Sequence, residues 1–297
     1  MATYDASIKK ALSPQQADVI DHKEHCSADR EKLETVGRLL GHQVRIKRND
    51  DEYGLYTVSE VRQENPDNIV RMGKGGRERL GTSDEFDATL DSQVPRPTLA
   101  DSAAEAQGEF VERLDDNGWH NVLIAIAPHG GGIEPYTDQQ AERVASQLAG
   151  KGVSSWRCKG WHPRGAFEHW HITSTDIHEA SFPLLNSVIS RGFRYAVAFH
   201  GFDDPEKSDI LVGGLAPDAL KEKVKEAIEG VVGSDFTVQI TKPDEQFGGD
   251  DRRNIVNRLT AGGANGVQIE EKIGPREKHA LAIAEALANI YDAKLGP

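Results

Sequence analysis

The sequence predicts an α/β protein with a mixed, largely parallel sheet flanked by helices, preceded by a small β-rich module. Residues 121–297 alternate apolar runs with helical patterns, which is typical of a sheet covered by helices on both faces. Residues 42–72 instead hold short segments with a two-residue period, as half-buried strands do. Between these regions, Pro95 and Pro97 favour an extended linker. We therefore expect a module over residues 1–110, of unknown role, and a second domain over residues 111–297.

The N-terminal module is expected to begin with a helix over Ser27–Leu40, because Ser27 is a good N-cap residue and Gly41 would end the helix. Short alternating segments follow this helix and run into a glycine-rich stretch. These predicted strands are His42–Lys47, Gly54–Val61 and Asn68–Met72.

The second domain begins with Asn121–Ala127, a continuous apolar run that predicts a strand buried on both faces. Five more strands are predicted at Ser155–Cys158, Tyr195–Phe199, Ile210–Gly214, Phe236–Ile240 and Gly266–Glu270. Helices are predicted over Thr137–Leu148, Phe182–Ile189, Pro217–Glu229 and from Arg276 to the C-terminus.

The composition excludes several classes of function. A net charge of −13 argues against broad nucleic-acid binding, which needs a basic surface. No apolar run approaches the ~18 residues that a membrane-spanning helix requires. Two cysteines are too few for a disulfide framework, and the N-terminus lacks the apolar region of a secretory signal. We expect a cytoplasmic protein, for which release by lysis or non-classical export stays possible, and oligomeric state is left open.

Two histidines follow predicted buried strands, and they suggest a metal site. His129 comes just after one strand and His200 directly follows another. In open α/β sheets, ligands bind beyond the carboxyl ends of the strands. The three glycines at residues 130–132 allow a tight loop that folds Glu134 back toward His129. Two imidazoles and a carboxylate, with a fourth position for water, are the composition of a catalytic zinc site. Spacing alone equally allows an anion-binding glycine loop and an ordinary histidine at a strand end.

A longer, ordered set of motifs resembles the phage-type poly-γ-glutamate hydrolase family over roughly residues 120–290. The motifs, in chain order, are IAPHGGGIEP at 126–135, HITST at 171–175, FHG at 199–201, GGL at 213–215, NIVNR at 254–258 and GVQIE at 266–270. The resemblance implies a zinc carboxypeptidase-like α/β fold that cuts γ-glutamyl amide bonds. It implies zinc as the cofactor, with His129, Glu134 and His200 as its ligands. The implied substrate is an anionic γ-linked glutamate polymer or oligomer.

The same resemblance implies roles for further residues. Glu270 takes the position of the carboxypeptidase-type general base, while Glu271 points to the opposite face of a regular strand. His171 is implied as a catalytic residue, either as a third imidazole ligand, a group behind the ligands or an oxyanion stabiliser. Arg258 and Arg276 are candidates for binding substrate carboxylates, because guanidinium groups pair with carboxylates bidentately. Asn257, beside Arg258, is a further candidate for substrate binding.

Two other functions fit the same residues. A small-molecule amidohydrolase acting on N-acyl-glutamate-like substrates would use the same metal site in a closed pocket. A non-catalytic polyanion- or cell-wall-binding protein would depend on the β-rich module instead. The sequence leaves endo and exo cleavage equally open.

Overall fold

A computed structural model describes residues 2–116, 118 and 120–296; Met1, Asn117, Trp119 and Pro297, the last residue of the helix predicted to reach the C-terminus, lie outside them. The chain divides into two compact units. The first comprises Met1–Arg96 with His162–Pro183, and the second Pro97–Trp161 with Leu184–Pro297. The first unit therefore ends before the boundary expected near residue 110, and it includes residues 162–183, which the sequence assigns to the second domain.

Contacts within the first unit explain why residues 162–183 belong to it. The Gln43 backbone N–H donates to Ser181 Oγ at 2.8 Å, and Arg79 Nε donates to the Glu168 carbonyl at 2.6 Å. These bonds satisfy buried polar groups of the first unit. The segment therefore contributes to the packing of that unit.

The strands and helices alternate along most of the chain. The strands are β1 Thr3–Lys10, β2 His25–Asp29, β3 Gln43–Lys47, β4 Tyr53–Arg62, β5 Ile69–Met72, β6 Phe86–Asp91, β7 Phe110–Asp115, β8 Leu123–Gly131, β9 Ser154–Gly160, β10 Tyr195–Gly201, β11 Ile210–Gly213, β12 Val238–Ile240 and β13 Gly266–Glu271. The helices are α1 Pro14–Ile20, α2 Arg30–Thr35, α3 Lys74–Glu78, α4 Asp101–Gln107, α5 Thr137–Gln147, α6 Ala166–Trp170, α7 Pro183–Val188, α8 Asp218–Val232, α9 Ile255–Arg258 and α10 Ile273–Leu295.

The first unit is built around a closed barrel with strand order β1-β5-β2-β4-β3-β6. β1 and β6 pair antiparallel and close it, with Ala6 opposite Ala88. Inward-facing side chains such as Ile46 and Val70 are fully buried. Closure removes the unpaired strand edges that open sheets expose. The predicted β-rich module is thus confirmed as β structure, and its closure is an addition to the prediction.

The second unit contains a sheet with strand order β12-β11-β13-β10-β8-β9-β7. β9, β8, β10 and β13 run parallel to one another, while β7 and β11 pair antiparallel with their neighbours β9 and β13. The sheet is therefore mixed and largely parallel, as predicted. Helices α5, α8 and α10 cover one face through Val144, Val224 and Leu287. Helix α9 lies against the other face, beside Gly266.

One predicted helix is wrong in its extent. Residues 25–29, including Ser27, form β2, whose Ser27 and Ala28 pair with β5. The helix begins only at Arg30 and ends at Thr35. Asp29 is its N-cap, since its carboxylate accepts the Lys32 backbone N–H at 2.9 Å. Strand pairing over Ser27 outweighs the local capping preference of this serine.

Helix α10 spans 23 residues and is the longest of the described helices. It places buried residues such as Ile283 and Tyr291 against the sheet, and it carries charged residues on its exposed side. Over residues 2–116, 118 and 120–296, no helix combines the length and apolar character needed to cross a membrane.

Candidate active site

His129 and His200 are carried by neighbouring parallel strands, β8 and β10. Because parallel strands end at the same edge of the sheet, the two imidazoles meet there. Their Nδ1 atoms lie 3.2 Å apart, and the ring centroids are separated by 5.1 Å. Both side chains are only 3% exposed. The structure therefore brings together two histidines that the sequence placed at separate strand ends.

Glu134 returns to His129 through a tight glycine turn. Its backbone N–H donates to the His129 carbonyl at 2.7 Å, and Gly131 adopts a left-handed conformation with φ +68° that favours glycine. Glu134 Oε1 lies 3.0 Å from His129 Nδ1, and Oε2 lies 3.4 Å from His200 Nδ1. The Gly201 backbone N–H donates to Oε2 at 2.9 Å. One carboxylate thus contacts both imidazoles.

The three donor groups fit a zinc ion. Metal–ligand distances of about 2.0–2.2 Å at tetrahedral angles separate two ligand atoms by about 3.3–3.5 Å. The observed separations are close to these values: 3.0 Å from Glu134 Oε1 to His129 Nδ1, 3.2 Å between the two Nδ1 atoms, and 3.4 Å from Glu134 Oε2 to His200 Nδ1. Burial acts to raise the pKa of Glu134, but the imidazoles of His129 and His200 outweigh it and hold that pKa well below its usual range. An ionised carboxylate facing two imidazole nitrogens is a donor set that zinc prefers.

A partly buried ion cluster supports the glycine turn. Asp138, in the first turn of α5, accepts the Gly131 backbone N–H through Oδ1 at 3.2 Å. Lys159 Nζ lies 2.8 Å from Asp138 Oδ2 and 2.9 Å from Asp101 Oδ2. Gly130 packs so closely on Asp138 that an added Cβ would lie 2.5 Å from the aspartate Cβ. Sequence reasoning missed this cluster, although an acidic residue in the first turn after a glycine loop is a readable signal.

Glu270 lies at the same edge of the sheet, near the end of β13. It is the register partner of His200 across the β10–β13 pair, and its side chain is buried. Gln268 Nε2 donates to Glu270 Oε1 at 2.9 Å. Burial and then the negative charge of Glu134 raise the pKa of the Glu270 carboxyl well above its usual range. A carboxyl with a raised pKa is suited to general acid–base chemistry.

Glu271 points to the opposite face of the sheet, as strand alternation predicts. It is fully buried, and Gln140 Nε2 donates to its Oε1 at 2.6 Å. Burial raises the pKa of this carboxyl to about 7. Glu271 is therefore a buried acid outside the cluster formed by Glu270 and the two histidines.

Arg276 connects three segments around the candidate site. Nη1 donates to the Pro135 carbonyl at 2.8 Å and Nε donates to the Glu271 carbonyl at 3.1 Å. Its guanidinium lies against Gly201, where an added Cβ would be 2.4 Å from Cζ. Arg276 is only 6% exposed. Arg276 therefore holds these segments together, and its binding of a substrate carboxylate stays a prediction from the sequence.

Asn257 and Arg258, predicted to bind substrate, lie on α9. Asn257 is fully buried, and its Nδ2 donates to the carbonyls of Gly249 and Asp251 at 2.7 and 2.9 Å. Its Oδ1 accepts the Leu215 backbone N–H at 3.2 Å. The Asn257 amide thus binds the backbone of neighbouring loops and holds them in place. Arg258 is half-buried on the same helix.

His171 belongs to the first unit, where it pairs with the acidic residue that precedes β2. Its Nδ1 lies 2.6 Å from Glu24 Oε1, and its ring stacks on Phe167 with centroids 4.4 Å apart. The Thr173 backbone N–H donates to Glu24 Oε2 at 3.0 Å. The carboxylate of Glu24, which sequence reasoning did not select, thus orients the His171 ring. A catalytic role for His171 stays a prediction from the sequence.

A family model described as poly-gamma-glutamate hydrolase matches residues 101–281, more than half of the chain. The chain belongs to the poly-gamma-glutamate hydrolase family. The match confirms the resemblance seen in the sequence motifs and begins somewhat earlier than they do. All the residues of the candidate active site, from His129 to Arg276, lie within the matched segment, whereas strands β1–β6 lie outside it.

Individual relatives match parts of the chain. The SPbeta prophage-derived UPF0714 protein YoqZ of Bacillus subtilis (strain 168) is 29% identical over 140 residues, which are 47% of this chain and 46% of the relative. The chain thus spans about half the length of this curated relative. Among solved structures, a bacteriophage poly-gamma-glutamate hydrolase is 26% identical, with 62% of this chain and 88% of that one covered and a TM-score of 0.47. A zinc-free form of YndL is 25% identical, with 61% and 88% covered and a TM-score of 0.46.

Proposed function

We propose that the protein hydrolyses γ-glutamyl amide bonds of poly-γ-glutamate or its oligomers, with zinc bound by His129, Glu134 and His200 in a carboxypeptidase-like second unit. The observation that carries the proposal is the convergence of two Nδ1 atoms and one carboxylate within 3.0–3.4 Å of one another. This cluster lies inside the segment that matches the hydrolase family. Its donor set has the composition of a catalytic zinc site with room for water.

Glu270 is the proposed general base. When bound, zinc would polarise the substrate carbonyl and lower the pKa of a water molecule. Glu270 takes a proton from the attacking water as the water oxygen bonds to the carbonyl carbon. The C–N bond then breaks, and the same proton passes to the leaving nitrogen.

Arg276 and Arg258 are proposed to act differently from each other. Arg276 is bound to backbone carbonyls and lies against Gly201, so its positive charge offsets the acidic side chains of the site while its bonds hold the Pro135 turn. Arg258 is more accessible, and we assign it the binding of a substrate carboxylate. Such local positive charge is needed because the net charge of −13 repels an anionic polymer.

The test combines metal analysis with a product-size assay on γ-linked polyglutamate. We expect about one zinc per chain and chain shortening that a chelator abolishes. His200→Ala should lose metal and activity, while His120→Ala, at an exposed histidine of the same unit, should keep both. Full turnover by His200→Ala would refute the ligand assignment.

The substrate class is tested in parallel with N-acyl-glutamate at equal bond concentration. Shortening of the polymer at a higher rate than cleavage of the small substrate supports the proposal. Cleavage of N-acyl-glutamate alone would indicate a small-molecule amidohydrolase. Polymer binding without any hydrolysis would instead indicate a binding protein.

A further inference from the structure

A chain of three hydrogen bonds runs from the start of helix α9 to Glu270. The Val256 backbone N–H donates to Asn254 Oδ1 at 3.1 Å. Asn254 Nδ2 donates to Gln268 Oε1 at 2.8 Å, and Gln268 Nε2 donates to Glu270 Oε1 at 2.9 Å. The three side chains are 4%, 4% and 6% exposed. Buried amides in such a chain polarise and orient one another.

The backbone fixes the direction of this chain of hydrogen bonds. A backbone N–H can only donate, so Asn254 must turn its oxygen toward Val256 and its NH₂ group toward Gln268. Gln268 must then accept through Oε1 and donate through Nε2. The carbonyl of Phe247, which can only accept, lies 3.2 Å from the same Nε2 and favours the same orientation. The orientation of both amides is thus determined by their partners at each end.

Packing holds the Gln268 amide in this orientation. Gly249, with φ +64°, lies against it, and an added Cβ would be 2.6 Å from Gln268 Cδ. Gln268 and Glu270 are two residues apart on one strand, so their side chains share a face of the sheet. The amide therefore has little freedom to turn away from the Glu270 carboxylate.

Building on the proposed function, we propose that Asn254 and Gln268 are positioning residues that reserve Glu270 Oε1 as a hydrogen-bond acceptor and leave Oε2 as the proton-carrying atom. The proton taken from water bonds to Oε2 as the water oxygen bonds to the carbonyl carbon. When the C–N bond breaks, this proton moves from Oε2 to the leaving nitrogen, and Glu270 returns to its ionised form. Gln268 keeps its hydrogen bond to Oε1 throughout.

Asn254→Asp reverses the direction of the chain with little other change. Asp is a good N-cap and still accepts the Val256 N–H, so α9 is retained. The new carboxylate cannot donate to Gln268. The Gln268 amide must then flip, so that its Oε1 faces the Glu270 carboxylate and repels it. We expect kcat to fall by about 10–100-fold, within the range that general-base catalysis contributes, with KM and zinc content little changed. Asn186→Asp, at an exposed position on α7, is the matched control for added charge and should keep full activity.

Gln268→Met removes the donor while keeping a side chain of similar length. It should lower kcat in the natural background and have little further effect in a Glu270→Gln background, where no base remains to be positioned. A purely structural role would lower kcat by the same factor in both backgrounds. Full kcat in both Asn254→Asp and Gln268→Met would overturn the proposal.

A readout independent of turnover separates this inference from the proposed function. The Gln268 side-chain amide, identified in ¹⁵N NMR spectra by its loss in Gln268→Met, should exchange slowly with solvent. Its chemical shifts should change in Asn254→Asp and stay constant in Asn186→Asp. If the wild-type protein cleaves no γ-linked substrate, the proposed function fails while the NMR result still tests the hydrogen-bond chain. Unchanged Gln268 shifts in Asn254→Asp would overturn the proposed direction.

Discussion

His129 Nδ1 and His200 Nδ1 lie 3.2 Å apart, although the two residues are 71 positions apart in the chain. Their strands are neighbours in the sheet, and both rings are shielded from solvent. Two imidazole nitrogens at this distance either share a proton or bind one cation between them. Glu134 contacts both atoms, which favours a cation and leads to the first prediction.

Zinc should stabilise the folded protein through this cluster. A ligand that binds only the folded state adds about 2.7 kcal/mol to the free energy of unfolding when its free concentration is 100 times Kd. We expect a chelator to lower the Tm of the wild-type protein by several degrees. His129→Ala should show a chelator-independent Tm, and His120→Ala should respond like the wild type. Thermal unfolding with and without chelator provides the measurement, and an equal response of His129→Ala would contradict the ligand assignment.

Glu270→Gln should separate metal binding from hydrolysis. The amide introduced by this substitution keeps an oxygen that accepts the Gln268 N–H, so the fold and the zinc content should persist. Loss of the base should lower kcat by about 10²–10⁴-fold, with a smaller effect on KM. Steady-state kinetics and metal analysis of the same preparation test this. A variant that loses zinc together with activity would instead place Glu270 among the groups that hold the metal.

Lys159→Met should destabilise the second unit and weaken metal binding. Lys159 is buried between Asp138 and Asp101, and its removal leaves the buried Asp138 carboxylate without its cation, whereas Asp101 keeps its ion pair with Arg113. Breaking a buried ion pair on one side costs about 3–5 kcal/mol. Because Asp138 also holds the Gly131 turn, zinc affinity should fall as well.

Two controls make the Lys159 prediction specific. Lys223→Met, at an exposed lysine of α8, should change neither denaturant unfolding nor zinc affinity. Asp138→Asn keeps an oxygen for the Gly131 N–H and leaves Lys159 paired with Asp101, so it should weaken zinc binding less than Lys159→Met. Unchanged unfolding of Lys159→Met would show that the cluster contributes nothing measurable.

The ends of buried strands could be predicted from the sequence, and with them much of the site. The apolar runs before His129 and His200 mark where β8 and β10 end, and the glycines before Glu134 permit its return. The position of Gln268 beside Glu270 could also be predicted, since residues two apart on a strand share a face of the sheet. The pairing of Lys159 with Asp138 could not be predicted, because it depends on packing between α5 and β9.

Closure of the barrel depends on pairings that local patterns do not specify. β1 and β6 are rich in polar residues, so their sequences do not identify them as strands. They close the barrel by pairing with each other, with Ala6 opposite Ala88. The helix predicted over Ser27–Leu40 was wrong in extent because pairing with β5 outweighs local propensity. The assignment of residues 162–183 to the first unit likewise follows from tertiary contacts such as that of Ser181 with Gln43.

Glu271 should make the stability of the protein fall as pH rises. Burial raises the pKa of this carboxyl to about 7 in the folded state, above its value in an unfolded chain. The folded state therefore binds more protons between these two pKa values. Its stabilising contribution is complete below the unfolded pKa and is lost as pH rises through about 7.

Glu271→Gln should remove this dependence. The new amide still accepts from Gln140 Nε2, and its NH₂ group can donate to Gln140 Oε1, which has no hydrogen-bond partner among the described residues. Between about pH 5 and about pH 8, the wild-type free energy of unfolding should fall by roughly 2.5 kcal/mol more than that of the variant. Urea unfolding at both pH values measures the difference, with Glu277→Gln at an exposed position of α10 as the control. Parallel pH profiles for wild type and Glu271→Gln would show that Glu271 is already ionised in the folded protein. Its Oε2, which has no hydrogen-bond partner among the described residues, would then require one that Gln140 does not supply.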